Sequence, residues 1–353
     1  MYEFVEVFEK QKEEYNSVIA NQPDAHVFQS YEWGEVKGWS GWRPRRFLLT
    51  KDGQPAGGAQ ILVRPLNKLK KSILYVPCGP AVDLAEPEQT AEFAKLVKSL
   101  ATSEKGVFVK IDPPVTDERK DVKTSLKNAG FRSAKEEEGG FEGIQPRCVM
   151  HLDVRGSEEE ILAKMTEKWR YNIRLAARKG VEIRIGSDDK GLREFYDILK
   201  VTGKRDGFLI RSYDYFKKMR DVMAPDGMFR LFVAEYEGKA IAATIALAFS
   251  DKCWYVYGAS GNENRNVMPN HALQWAMIKW AKELGCPVYD FRGIPCDLRP
   301  EHPLHGLVRF KKGFGAYPVK YVGEYEMVFS PFYAWLHRRG MPAYTKLRKL
   351  ARK

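Results

Sequence analysis

The densest group of chemically useful side chains lies between residues 158 and 180. Lys164, Lys168, Arg170, Arg174, Arg178 and Lys179 recur there at helical intervals, with Trp169 and Tyr171 among them. Ile161, Leu162, Met165, Trp169, Ile173 and Ala176 form an apolar stripe on the other side, so the segment reads as one amphipathic helix. Ser157 and Glu160 make a capping pair at its start. Acids first and bases last complement the helix dipole, which accounts for part of the pattern. The remaining cations, interleaved with aromatics, suit a surface that binds phosphates.

Covalent and metal chemistry are poorly supported by comparison. No Ser-His-Asp or Cys-His arrangement supports an acyl-enzyme. His271, His302 and His305 have no metal-ligand company. Cys78, Cys148, Cys253, Cys286 and Cys296 are scattered and odd in number, which argues against a zinc site or a disulfide framework and for reduced thiols used as small hydrophobes.

The 353 residues are enough for two cores, and 44% hydrophobic with 29% charged residues is globular composition. Lys and Arg number 58 against 46 Asp and Glu, a net charge of +12 that suits an anionic partner such as nucleic acid, a diphosphate or an anionic membrane. No apolar run approaches the ~20 residues of a membrane span, and Met1-Tyr2-Glu3-Phe4 does not resemble a signal peptide. A cytoplasmic protein is expected. Near the end, Phe332, Tyr333, Trp335 and Leu336 precede His337-Arg338-Arg339, Lys346, Arg348, Lys349, Arg352 and Lys353. This pattern suits either peripheral contact with the inner membrane face or a solvated terminal helix.

The elements that must position these residues follow one plan twice. Residues 46–50 read as a strand, Asp52-Gly53 as a tight turn, 59–63 as the return strand and 72–76 as a third strand. A helix from about 87 to 103 and a strand at 106–111 complete the unit. The second copy has strands at 229–234, 240–249 and 253–257, a turn at Glu237-Gly238, a helix from about 270 to 284 and a closing strand at 287–293. Corresponding landmarks lie roughly 180 residues apart, which points to an internal duplication.

This strand and helix order is that of GNAT-type (acyl-CoA N-acyltransferase-like) folds, in which the fourth and fifth strands splay to form an acyl-donor cleft. The fold class expected is therefore α/β with two tandem GNAT-like lobes. Ordinary members hold the pyrophosphate of coenzyme A on a Gly-rich loop at a helix N-terminus. Here Asn264 to Ala272 contains no glycine and Pro269 removes a donor, while Asp83 to Pro87 in the first copy carries carboxylates. No cofactor is expected, and another activated acyl donor is required.

Several motifs resemble Fem/MurM-type peptidoglycan-bridge aminoacyltransferases (the FemABX family). They are Phe28-Gln29-Ser30-Tyr31-Glu32-Trp33, Gln145-Pro146-Arg147, Arg170 to Ala176, Tyr257-Gly258-Ala259-Ser260 and His302 to Gly315. They occur in the right order over nearly the whole chain. The long helical-hairpin insertion of some members is missing, so the resemblance is to the compact type. It implies transfer of an amino acid from aminoacyl-tRNA to the stem-peptide side-chain amine of a UDP- or lipid-linked muramyl pentapeptide. It further implies a first, acceptor-binding lobe of residues 1–147 with 317–353, and a second lobe of 148–316 on the aminoacyl-tRNA side.

The site residues are carried over from the same resemblance. Lys37 and Trp39 look like acceptor-site residues, Arg211 and Tyr215 like a pair gripping the diphosphate, and Tyr257 like an aromatic of the acceptor groove. Phe310 and Lys311 resemble the pair nearest the chemistry, and Asp112 a carboxylate at the acceptor peptide. Some relatives place a Tyr just before this Asp, where Val107 and Phe108 stand here. Lys168, Arg170, Arg174 and Arg178 are the corresponding tRNA-binding candidates. Lys311 would supply positive charge to the oxyanion or the tRNA 3′ end, and Asp112 would orient or deprotonate the amine. The alternatives are a GNAT-like transferase with another acyl donor, or an inactive basic RNA-binding protein.

Overall fold

The computed structural model describes residues 1–134 and 144–338. They form two compact units, one holding 1–134 with 321–338 and the other 144–320. The part of the basic C-terminal segment from Arg339 onward lies outside the described residues.

The first unit is a seven-stranded sheet. Tyr2–Glu6, Arg43–Lys51, Gln54–Leu66 and Lys71–Val76 run antiparallel in sequence order. Gly106–Ile111 then pairs parallel to Lys71–Val76, as a strand returning through the helix Pro87–Ser103 must. Tyr325–Val328 and Arg132–Ser133 complete the sheet. Pro87 opens the helix, where a missing N–H costs nothing. Phe93 and Val97 on its inner face meet Ile61, Leu74, Val109 and Phe131 in the core.

The second unit repeats this order. Glu182–Gly186, Phe229–Tyr236, Lys239–Phe249, Lys252–Ser260, Val288–Ile294, Cys148–Asp153 and Tyr317–Lys320 lie side by side, with Lys252–Ser260 and Val288–Ile294 again the parallel pair. The two-residue turns match as well: Asp52-Gly53 has φ of 50° and 81°, and Glu237-Gly238 has 51° and 74°. Positive φ at both positions is what a tight hairpin of this twist demands, and glycine meets it without strain. One difference separates the copies. The sixth strand of the first sheet comes from near the chain's end, Tyr325–Val328, whereas that of the second comes from the unit's own start, Cys148–Asp153.

Two expectations need correction. The basic segment is not one helix but two, Glu158–Lys164 and Glu167–Arg178. Met165 is extended at ψ 154°, and the Thr166 N–H goes to the Gly313 carbonyl at 2.9 Å rather than continuing the helix. A tertiary hydrogen bond outweighs local propensity there. The cysteines are not all reduced: Cys148 and Cys296 form a disulfide. Strand pairing sets Cys148 opposite Ile294, which brings Cys296 within 5.3 Å (Cα to Cα) despite a sequence separation of 148. Cys78, Cys253 and Cys286 are free and buried.

Candidate active site

The central feature of the second unit is a pair of strands that part. The parallel ladder between Lys252–Ser260 and Val288–Ile294 ends at Trp254 and Asp290, and beyond it the two strands are no longer hydrogen-bonded to each other. On its other side Val288–Ile294 carries a one-residue bulge: Asp290 pairs with His151 but Gly293 with Val149. The bulged Arg292 has φ 61°, a left-handed conformation that is costly for a side chain with a Cβ. Asp290 Oδ1 accepts the Arg292 N–H at 2.6 Å and secures that turn.

The bulge aims two carbonyls at Lys311. This residue sits on the helix His305–Lys312 and is 3% exposed. Its Nζ donates to Gly293 O at 2.6 Å and to Arg292 O at 3.1 Å. Burial pushes the ammonium down to about 7; Asp290 opposes this and Arg292 adds to it. A lysine with two N–H groups committed in this way keeps its third position as an N–H when charged and as a lone pair when neutral. Near neutrality both forms are populated.

The neighbouring Phe310 belongs to an aromatic group that ties this helix to the basic one. Trp169 Nε1 donates to Phe310 O at 2.9 Å. The His271 ring lies 5.4 Å from Trp169, 5.3 Å from Phe310 and 5.8 Å from Phe314, and its Nε2 is 3.1 Å from Asn172 Nδ2. Burial, with Lys168 nearby, pushes the imidazole down to about 4, so it is neutral and can accept from Asn172. On the basic helix Lys168, Arg174 and Arg178 are exposed. Arg170 is partly buried, and its guanidinium caps the carbonyls of Leu162, Ala163 and Met165 at the end of the preceding helix.

Arg211, Tyr215 and Tyr257 come together in the same unit. Ser212 caps the helix Tyr213–Met223, and the Arg211 guanidinium lies 5.3 Å from the Tyr215 ring. Tyr215 and Tyr257 are hydrogen-bonded partners, and burial raises both phenols above their ordinary value. Phe216 packs edge-on against Tyr257 at 5.0 Å.

In the first unit, Lys37 and Trp39 lie on the helix Tyr31–Trp39. Lys37 Nζ is 5.6 Å from the Trp33 ring centroid, and Trp39 is 49% exposed. Asp112, buried at the end of the strand Gly106–Ile111, accepts from Tyr75 Oη at 2.6 Å and from Cys78 N at 2.6 Å. The tyrosine at this carboxylate therefore comes from the neighbouring strand Lys71–Val76. Trp42 lies beside it, 6.2 Å from the Tyr75 ring.

Sequence reasoning passed over Tyr75, Asp290 and Arg292, and weighed His271 only as a metal ligand. The duplicated plan held a signal for Asp290, since an aspartate accompanies the fifth strand of both copies: Asp112 directly after Gly106–Ile111, and Asp290 within Val288–Ile294. No local pattern marks the other three.

Two sheets of one strand order, each with a single parallel pair, define a tandem GNAT-like acyltransferase fold. A tandem GNAT protein from the clavulanic acid biosynthesis pathway shares this fold, with TM-score 0.57 at 10% identity over 94% of this chain and 99% of that one. The FemAB family model matches residues 11–237 and 226–338, and the chain belongs to the FemAB family, as an aminoacyltransferase. The crystal structure of FemX superposes with TM-score 0.85 and 26% identity, covering 95% of this chain and 99% of FemX. The lipid II:glycine glycyltransferase of Staphylococcus aureus (strain USA300) is 28% identical over 410 residues, covering 97% of both chains. Among the described residues of the second unit no long helical hairpin is inserted, as in the compact type.

Proposed function

We propose that this enzyme moves an amino acid from aminoacyl-tRNA to the side-chain amine of the stem peptide in a peptidoglycan precursor. The amine attacks the ester carbonyl, the oxyanion collapses, and the tRNA 3′ oxygen leaves as a hydroxyl. The ester supplies the free energy, so the protein's part is placement, deprotonation of the amine and stabilisation of charge. The observation that carries this reading is the buried Lys311, an amine held on two carbonyls where the parallel ladder ends. In this reading its ammonium form stabilises the oxyanion and Phe310 lies against the aminoacyl end. Asp112, with Lys37 and Trp39, receives the acceptor peptide, and Asp112 orients the amine. Arg211, Tyr215 and Tyr257 hold the precursor's diphosphate. Lys168, Arg174 and Arg178 meet the tRNA backbone.

The acceptor we favour is lipid-linked, in keeping with the name of the S. aureus relative. The helical residues 331–338 support work at the inner membrane face, because Phe332 is 65% and Trp335 50% exposed there. Mixed charged tRNAs, offered with the UDP-linked and then the lipid-linked precursor, and mass spectrometry of the product test the whole reading. Product that forms with acyl-CoA and without tRNA would replace it with the other-donor reading. RNA binding with no product from either donor would leave an inactive binding protein. Lys311→Met should lower transfer on the order of a hundredfold or more.

A further inference from the structure

The bulge opposite Cys148–Asp153 does more than end a ladder. We propose that Asp290 is the positioning residue of the Lys311 site: its carboxylate fixes the Arg292 turn that presents two carbonyls to Lys311, and it is the counter-charge of that ammonium. The inference rests on the reading of Lys311 given above and adds the residue that arranges it.

Three observations converge. Asp290 is 1% exposed, a buried carboxylate that no step of the proposed reaction employs as donor or acceptor to substrate. Its Oδ1 holds the N–H of Arg292, a residue kept at φ 61° where glycine would be the unstrained choice. The carbonyls released by that turn are the two that Lys311 grips. Strain of this kind persists where surrounding structure requires it, and here it shapes the cradle of a buried amine.

The charges acting on Lys311 from the bulged strand are Asp290 and Arg292. Behind them His151, on the adjoining strand, places Nε2 3.5 Å from Asp290 Oδ2. On its own helix Lys311 is flanked by Arg309 and Lys312. The neutral His271 ring lies against Phe310, and Lys168 on the basic helix acts on that imidazole. Burial works against the Asp290 charge, yet His151 and Arg292 hold the carboxyl below its ordinary value. It is therefore an anion at neutral pH, and it favours the charged form of Lys311. Arg292 donates through its guanidinium to Gln145 Oε1 at 2.7 Å, which ties the turn to the Gln145-Pro146-Arg147 motif.

The test separates the cradle from the reaction. The Lys311 side-chain signal, assigned by its loss in Lys311→Met, is titrated by NMR with isotope-labelled lysine in the full-length protein. In Asp290→Asn an oxygen still accepts the Arg292 N–H but the charge is gone. The Lys311 midpoint should then fall by about one pH unit, a tenfold change in its proton affinity. The alkaline limb of the transfer rate should move down with it, at unchanged KM. An unmoved midpoint would overturn the proposal even if transfer is confirmed. A moved midpoint in a protein that transfers nothing would uphold the cradle and sink the reaction. Arg292→Gly carries the test if Asp290→Asn does not fold. Glycine keeps the left-handed turn and removes a cation, so the Lys311 midpoint should rise and the protein should melt above Arg292→Ala. Equal melting of the two, or a lost Lys311 signal in Arg292→Gly, would overturn it.

Discussion

The Tyr75 hydroxyl donates to the Asp112 carboxylate at 2.6 Å, although 37 residues and a change of strand separate them. The Cys78 N–H holds the other oxygen, so the carboxylate is fixed in direction. Tyr75→Phe removes one of these bonds and leaves the ring. A hydrogen bond to a charged group is worth about 1.5–3 kcal/mol, so loss of orientation should lower transfer roughly tenfold or more. Steady-state kinetics with varied acceptor should place the loss on the acceptor side; unchanged kinetics would remove Asp112 from the acceptor site.

Trp169 and Gly313 form a fitted joint between the basic helix and the helix bearing Lys311. A Cβ on Gly313 would overlap the indole ring of Trp169. Gly313→Ala should therefore cost about 1–3 kcal/mol in overpacking, read as a lower denaturant midpoint. Trp169→Phe should cost less, about 1 kcal/mol for the lost bond to Phe310 O.

His271 predicts an acid-sensitive stability. Its folded value of about 4 lies below the ordinary 6.5, so the unfolded chain binds its proton first as pH falls. The contribution is complete above pH 6.5 and lost between there and pH 4. Its full size is about 3 kcal/mol. Chemical denaturation at a series of pH values should show this fall in the wild type, and His271→Gln should remove that component. An identical pH profile in the variant would show that the ring does not titrate as described.

Lys168, Arg174 and Arg178 predict a salt-dependent RNA interaction. Each reversal to Glu should weaken tRNA binding, and the slope of log K against log salt should shrink by about one for every phosphate no longer neutralised. Arg170→Glu should instead destabilise the fold, because its guanidinium caps three carbonyls. Filter binding and thermal melts of all four variants separate the two roles.

Alkylation of the denatured, unreduced protein should label three of its five cysteines, leaving Cys148 and Cys296 protected until reductant is added. Labelling of all five would show the pair to be reduced in solution.

Local chemistry made much of the fold legible. The helix Pro87–Ser103 lies where the sequence places one, from about 87 to 103, and glycine-bearing turns marked both hairpins. These features depend on neighbours in the chain, and a period of 2 or 3.6 is visible in one dimension. The duplication was visible for the same reason, and its matching strand orders follow from it. The basic helix and its exposed cations could likewise be read from composition and spacing, but the break at Met165 could not, because it depends on the Gly313 carbonyl.

Everything that pairs distant residues was decided by tertiary structure alone. Tyr75 reaches Asp112 only through parallel pairing of their strands, and Cys148 meets Cys296 only through the register of Cys148–Asp153 on Val288–Ile294. The surroundings of Lys311 are the clearest case. A lysine followed by another lysine looks like a solvated surface pair, and its burial appears only once a bulged strand has turned two carbonyls toward it. Residue type declares what a side chain can do; its protonation, partners and access to water are set by atoms that are remote in sequence and close in space.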